Sequence, residues 1–361
     1  MNRGRVLVAL AALGGVTVGP ALLVPRIAHA APTIQLDSAG WKVQAALPVA
    51  VSHHRAVALP KALVAIGGQD RYGRLQSGVF RSVVSAKGEC GTWVRDAGLP
   101  AGLSDHAVVE AGGRIYVLGG LKASRQAGTA TDEIWGTTPA SDGRIRSWQP
   151  VGRLPEPLQA HSAVAVGGRI YVLGGMAPGG TRNAVWVAEG GGRIGGWKQV
   201  TPLPAQVSNA TAVAVGNFIL VIGGQSPGSG KTIILPTVYA GPVGEDGGVH
   251  TWYLATTKFP GPWLGFGRCQ ASGAVWHDTV FCFGGQDPLW FLIDSIAAAS
   301  FDVARGELGG WGVTPGPANM HQLTAAVVWQ DYVYLVGGTV HGVVTDQVLR
   351  GKFMVAEREE E

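Results

Sequence analysis

The sequence of 361 residues is low in charge: 14% of its residues are charged, and the formal net charge is +4. Arg3, Arg5 and Arg26, in an N-terminal stretch without acidic residues, supply three of those four charges, so the remainder of the chain carries a net charge of only +1. A near-neutral surface lacks the field that attracts phosphate backbones, which argues against a nucleic-acid partner. Glycine is abundant, at 56 residues, alongside many aliphatic residues and tryptophans. This mixture favours short strands joined by tight turns.

Residues 1–30 have the pattern of an export signal. Basic residues are followed by an apolar run over residues 6–24 and by an A-x-A site that ends at Ala30. We expect cleavage after Ala30 and a secreted protein, extracellular, periplasmic or at the cell surface. The alternative is a retained membrane anchor, which Pro20 and Pro25 disfavour because a spanning helix needs about 20 uninterrupted apolar residues. No later apolar run has that length, so the cleaved chain is not expected to span a membrane.

Three markers recur six times in the same order along the rest of the chain. Double glycines follow apolar runs at Gly67-Gly68, Gly119-Gly120, Gly174-Gly175, Gly223-Gly224, Gly284-Gly285 and Gly337-Gly338. Tryptophans in phase with them stand at Trp41, Trp93, Trp148, Trp197, Trp252 and Trp311. Between the two lie the strand-like pairs Val79-Phe80, Ile134-Trp135, Val185-Trp186, Val238-Tyr239, Ile296-Ala297 and Val348-Leu349.

Each repeat unit is predicted to contain four strands. In the third unit, an apolar strand starts at His161, turns at Gly167-Gly168 and returns to a second strand that ends in the double glycine. A third strand carries Val185-Trp186 and a fourth begins at Trp197. No unit can bury both of its own faces, so neighbouring units must stack around a closed ring.

This pattern resembles the kelch family, whose repeats of about 50 residues each form one four-stranded propeller blade. The resemblance covers residues 32–353, and it implies an all-β fold: a six-bladed β-propeller of four-stranded kelch-like blades over residues 31–355, followed by an acidic tail at 356–361. The chain opens with a Trp41-type strand and ends without one. The N-terminal strand is therefore predicted to complete the last blade, because the alternative, an open solenoid, leaves unpaired strand edges.

Loops that enter the first strand of a blade and loops that leave the second are expected to lie on one face. Three histidines, His54, His106 and His161, stand thirteen residues before a double glycine. The functional interpretation is a metal site or an acid–base group at the channel mouth, with His106, His161 and Arg268 as the candidate catalytic residues. The packing interpretation, which we favour, is that the repeat uses histidine there to bond the backbone of a neighbouring blade. The other three units have Ala210, Ala271 and Thr324 at this position.

The fifth unit has the longest spacing between double glycines and two loops rich in aromatic residues. Flat aromatic faces suit sugar rings or the apolar patch of a partner, and a few charged groups would set orientation. The alternative is a satellite core beneath a long loop. The predicted ligand-binding residues, including two from the first unit, are Trp263, Phe266, Arg268, Asp287, Trp290, Gln69 and Asp70.

The same architecture occurs in two enzyme families. Galactose oxidase needs copper and a tyrosine crosslinked to cysteine, whereas Cys90, Cys269 and Cys282 have no evident tyrosine partner and are expected to be free, mostly buried thiols. Bacterial sialic acid mutarotases are exported kelch-like propellers of similar length. We predict a monomeric binding module for a carbohydrate or a surface protein, without metal or cofactor. The alternative is a sugar-processing, mutarotase-like isomerase.

Overall fold

The first two strands of each blade form a tight hairpin next to the central channel. In a computed structural model that describes residues 34–36, 40–122, 128–256, 259, 267–289, 291–317 and 323–355, the strands form six antiparallel sheets around a central channel. The second strand of each blade is almost wholly apolar because both of its faces pack against neighbouring blades; all five residues of Ala62–Ile66 and of Phe218–Ile222 are buried. The predicted all-β, six-bladed propeller is confirmed.

The four strands of a blade follow one another from the channel outwards. Blade 1 contains Arg55–Leu59, Ala62–Ile66, Val79–Val83 and Val94–Arg95. Blade 2 contains Ala107–Ala111, Arg114–Leu118, Thr129–Thr137 and Gln149–Leu158, with Leu121–Lys122 paired to the third strand. Blade 3 contains Ser162–Val166, Arg169–Leu173, Val185–Glu189 and Lys198–Val200, with a rim hairpin of Met176–Ala177 and Gly180–Thr181.

The other three blades repeat this order. Blade 4 contains Thr211–Val215, Phe218–Ile222, Val238–Pro242 and Tyr253–Thr256, with a rim hairpin of Gln225–Pro227 and Thr232–Ile234. Blade 5 contains Ser272–Trp276, Thr279–Phe283, Ser295–Asp302 and Gly312–Pro315, with Glu307–Leu308 paired to the third strand. Blade 6 contains Ala325–Trp329, Tyr332–Val336 and Val348–Val355, with a rim hairpin of Thr339–Val340 and Val343–Val344.

The fourth strand of blade 6 comes from the other end of the chain. Lys42–Val43 pairs antiparallel with Val348–Val355, with Val43 opposite Leu349. Ile34–Leu36 pairs with the end of the same strand. The innermost strands of blades 6 and 1 contact each other, so the ring closes as predicted.

Four of the six repeated tryptophans join a blade to the one before it. The indole N–H of Trp148 donates to the carbonyl oxygen of Ala97 at 2.9 Å, and Trp93, Trp197 and Trp252 make the equivalent bond one repeat apart. Trp148 is buried, at 8% exposure. Trp197 is only half-buried.

The thiols are free, as predicted. Cys269 and Cys282 are buried and Cys90 is half-buried. Burial raises the pKa of Cys269 to about 11 and that of Cys282 to about 12. These thiols are therefore protonated and unreactive at neutral pH. The predicted signal segment and acidic tail lie outside the described residues, among which no helix is long and apolar enough to cross a membrane.

Candidate functional site

One face of the propeller collects the loops that enter and leave the inner hairpins, as predicted. In five blades, a residue just before the first strand forms a β-bridge with a residue just after the second strand. These bridges are Ser52–Gln69, Ser104–Leu121, Gln159–Met176, Ser208–Gln225 and Cys269–Gln286. The paired loops surround the channel at this end, which we call the loop face.

A ring of six residues encircles the channel at the loop face. Each has a left-handed backbone, with φ between 49° and 55°, which is unfavourable for a residue other than glycine by roughly 1–2 kcal/mol. Five N–H groups of the ring donate to the carbonyl oxygen of the equivalent residue one blade back, at 2.9–3.3 Å. The left-handed conformation recurs in every blade, so it is a feature of the propeller fold. The hydrogen bonds between neighbouring ring residues offset its energetic cost. We call these residues the mouth ring: His53, Asp105, Ala160, Asn209, Gln270 and Leu323.

The backbone groups of the mouth ring hydrogen-bond to one another, so ligand contacts at the mouth would come from its side chains. His53 Nδ1 lies 3.1 Å from Gln69 Nε2, and Asn209 Nδ2 donates to Gln225 Oε1 at 3.1 Å. Asp105 Oδ2 accepts a hydrogen bond from the adjacent Ser104 hydroxyl at 3.0 Å. Predicted residue Gln69 therefore does lie at the mouth, paired with a ring histidine.

Just inside the mouth ring the channel holds a cavity of about 180 Å³. Small residues at the first position of the inner strands form much of its wall. The hydroxyls of Ser162, Thr211 and Ser272 donate to backbone carbonyls of the next blade at 2.5–2.8 Å, so they are used in joining blades. In the remaining three blades the position holds Ala107, Ala325 and Arg55.

Arg55 is the distinctive residue of this cavity. Among the described residues that line it, Arg55 alone carries a full charge at neutral pH. Its guanidinium donates to the His54 carbonyl oxygen at 3.2 Å. The two neighbouring blades carry the small residues Ala107 and Ala325 at the position equivalent to Arg55. Burial lowers the pKa of Arg55, and the nearby Asp105 carboxylate partly opposes that effect. A cation held in a narrow polar channel is suited to bind an anionic group.

The repeated histidines pack between blades. A Cβ atom built on Gly67 would lie 2.9 Å from His106 Cε1, and one on Gly119 would lie 2.9 Å from His161 Cε1. Each ring therefore fills the space that glycine leaves in the preceding blade, which supports the packing interpretation. His106 is fully buried and His161 is 2% exposed where it borders the cavity.

Both histidines are uncharged at neutral pH. Burial lowers the pKa of His106 well below its usual value, helped by the positive charge of Arg55, and lowers the pKa of His161 to about 3. A group that titrates so far from neutrality is a weak acid–base catalyst. Their burial between blades and their uncharged state therefore argue against the candidate catalytic roles of His106 and His161.

This neutral, buried state predicts acid sensitivity. Below the unfolded pKa of 6.5 the unfolded chain binds a proton that folded His161 does not take until about pH 3, so stability falls across that window as pH drops. At pH 5 His161 alone should cost about 2 kcal/mol. Urea unfolding at pH 7 and pH 5 should show a smaller pH-dependent loss in His161→Gln than in the parent. Equal losses in both proteins would contradict the assignment.

Arg268 differs from the prediction. It is 1% exposed, and its guanidinium donates to the carbonyl oxygens of Gly284 and Ser295, at 3.2 and 2.8 Å, and to the Ser295 hydroxyl at 3.0 Å. It also lies 5.7 Å from the centre of the Phe259 ring. Arg268 therefore holds blade 5 together, and this burial removes it from a ligand-facing or catalytic position.

The predicted acidic residues close their own loops. Asp287 Oδ1 accepts hydrogen bonds from the N–H groups of Leu289 and Phe291, both at 2.9 Å. Asp70 does the same for Tyr72 and Arg74, at 2.8 and 3.0 Å. Such Asx turns fix loop shape, so neither carboxylate is placed as a free ligand group.

The aromatic part of the fifth-unit prediction stays a prediction. Trp263, Phe266 and Trp290 lie outside the described residues. The neighbouring Leu289 and Phe291 are 70% and 62% exposed, so this loop does present apolar surface on the loop face. Across the described part of the chain, no three His, Cys, Asp or Glu side chains are grouped as a metal would need. The expected lack of metal and cofactor also stays a prediction.

Comparison with known proteins decides the family. The model of the Kelch-repeats domain of KLHDC2, KLHL20 and DRC7 matches residues 53–285, which is more than half of the chain. The chain belongs to the kelch-repeat family. Among solved structures, that of YjhT superposes with a TM-score of 0.66 over 87% of this chain and 99% of that chain, at 14% sequence identity. This likeness concerns the fold alone.

Several kelch proteins are similar over part of their length. Beta-scruin of Limulus polyphemus is 29% identical over 41% of this chain and 16% of its own. Kelch-like protein 35 of Mus musculus is 34% identical over 34% of this chain and 19% of its own. The chain thus matches less than a fifth of the length of these relatives. It is a kelch propeller, an architecture that serves as a protein-interaction module.

Proposed function

We propose that this protein is an exported binding module that holds a carboxylate-bearing ligand at the channel mouth, with Arg55 as the charged anchor. The supporting observation is that Arg55 is the single charged side chain among the described residues that line the cavity, at a position where the other five blades carry small residues. An acidic sugar and a carboxyl group of a surface protein share this chemistry. Either one would enter from the loop face past the mouth ring.

The electrostatics favour an anion over a cation or a neutral ligand. Arg55 is buried enough for its pKa to be lowered, and Asp105 compensates its charge only in part. A ligand carboxylate would complete that compensation through a charge-assisted hydrogen bond, which is worth about 1.5–3 kcal/mol. The polar side chains of His53, Asn209 and Gln270 would orient the rest of the ligand.

The alternative, a mutarotase-like isomerase, needs different residues from those predicted. His106, His161 and Arg268 are committed to packing, which leaves Asp105 as the carboxylate at the mouth that could accept a proton from a sugar hydroxyl. Anomer interconversion that is lost in Asp105→Asn would support the isomerase. Binding without turnover supports the module.

Calorimetric titration with matched ligands tests the proposal. Glucuronate and N-acetylneuraminate are compared with glucose, and a short peptide with a free carboxyl terminus is compared with its amidated form. We expect one acidic ligand to bind, and Arg55→Gln to weaken it at least about tenfold, or 1.4 kcal/mol. Arg95→Gln, which removes an exposed charge from the outer strand of blade 1, is the control. Binding that is unaffected by Arg55→Gln would overturn the proposal.

A further inference from the structure

A second cavity lies on the loop face between blades 1 and 2, outside the channel. Its volume is about 250 Å³, slightly below the roughly 300–1,000 Å³ of pockets for drug-sized ligands. One wall is the apolar segment after the outer strand of blade 1, in which Leu99 and Leu103 are buried while Pro100 is exposed at the rim. The half-buried indole of Trp135 also lines the cavity.

The polar part of this cavity is the ion pair of Lys122 and Glu133, which the indole N–H of Trp135 holds in place. Lys122 Nζ contacts Glu133 Oε2, and Trp135 Nε1 donates to the same oxygen at 3.2 Å. The two charged side chains are 33% and 30% exposed, so both can reach a ligand. Partial burial raises the pKa of Glu133, but the hydrogen bond and charge of Lys122 outweigh it, and the carboxyl stays ionised at neutral pH.

These residues are specific to blade 2, although the aromatic position is part of the repeat. Glu133 immediately precedes the strand-like pair Ile134-Trp135. In the other five units the residue before that pair is Gly78, Ala184, Thr237, Ser295 or Gln347. The residues equivalent to Lys122, two after the double glycine, are Asp70, Ala177, Ser226, Asp287 and Val340. Folding of the repeat therefore does not require the ion pair.

We infer that this cavity, which we call the blade 1–2 site, binds one ring of a neutral hexopyranose. The apolar face of a pyranose would stack on Trp135, as an amphipathic aromatic surface favours. Sugar hydroxyls both donate and accept hydrogen bonds, so one diol can satisfy the carboxylate and the ammonium together. A charged ligand would have to disrupt the Lys122–Glu133 pair, because the two charges already cancel each other. The blade 1–2 site is thus expected to bind a neutral ligand, whereas the channel mouth is proposed to bind a carboxylate.

The indole N–H resonance of Trp135 tests the site directly. In ¹⁵N-labelled protein that resonance is assigned by its loss in Trp135→Phe. Methyl β-D-glucopyranoside, methyl β-D-galactopyranoside and methyl α-D-mannopyranoside are then titrated separately. We expect at least one to shift the Trp135 resonance saturably and to leave that of Trp186, its equivalent in blade 3, unmoved.

Two variants decide the interpretation. Glu133→Gln keeps the side-chain shape and should weaken the sugar at least about fivefold, because it removes the charged acceptor. Arg55→Gln should leave this titration unchanged, so failure of the channel proposal and failure of this one are distinguishable. A Trp135 resonance that none of the three glycosides moves, or an unchanged affinity in Glu133→Gln, overturns the inference.

Discussion

A chain that lacks residues 32–48 is expected to lose cooperative thermal unfolding and to aggregate. The deletion removes Lys42–Val43, the fourth strand of blade 6, and Ile34–Leu36, which pairs beside it. It also removes Leu47, which is 2% exposed in the core between blades 6 and 1. Val348–Val355 would then present an unpaired edge, and blades depend on their neighbours for stability.

Scanning calorimetry and light scattering measure this effect. A chain that lacks only residues 356–361 is the control, and it should melt in one sharp transition like the parent. If the chain without residues 32–48 melts equally sharply at the same temperature, closure by the N-terminal strand is not what holds the ring together.

Trp148→Ala is expected to lower the free energy of unfolding by about 3–5 kcal/mol. The ring is buried among Val57, Ile66 and Ile115 of two blades, and the substitution also leaves the Ala97 carbonyl oxygen without its donor. Trp197→Ala removes the equivalent hydrogen bond from a half-buried ring, so its cost should be smaller. Urea unfolding of both variants gives the comparison. Equal losses, or a loss below about 1 kcal/mol for Trp148→Ala, would contradict the packing described here.

The fold could be predicted because its repeat markers are physical requirements. A Cβ atom on Gly119 would lie 2.7 Å from the Leu158 carbonyl oxygen and 2.9 Å from His161 Cε1, so glycine is enforced wherever blades meet in this way. The tryptophan is likewise fixed by an inter-blade hydrogen bond. The same hydrogen bond recurs at Trp93, Trp197 and Trp252, and constraints repeated in this way leave a pattern that one sequence can show.

The proposed site could be predicted less well because its chemistry is not periodic. Arg268 is predicted as a ligand group, but it is buried and makes three hydrogen bonds within blade 5, and a sequence gives no measure of burial. Arg55 was missed beside the more conspicuous His54. Its signal was available: twelve residues before the double glycine the other units have Ala107, Ser162, Thr211, Ser272 and Ala325. Arg55 is therefore singled out by its departure from the repeat, and not by the repeat itself.

The claim that a carboxylate ligand sits against Arg55 is tested most directly at the guanidinium. In protein with ¹⁵N-labelled arginine, the Nε–H resonance of Arg55 is followed during titration with glucuronate, N-acetylneuraminate or the free-carboxyl peptide. Arg81, whose guanidinium is buried against Asp96 at 3.0 Å, is the internal control. We expect a saturable shift of the Arg55 resonance, with that of Arg81 unmoved. Saturable binding of these ligands that leaves the Arg55 resonance in place would show that the ligand lies elsewhere.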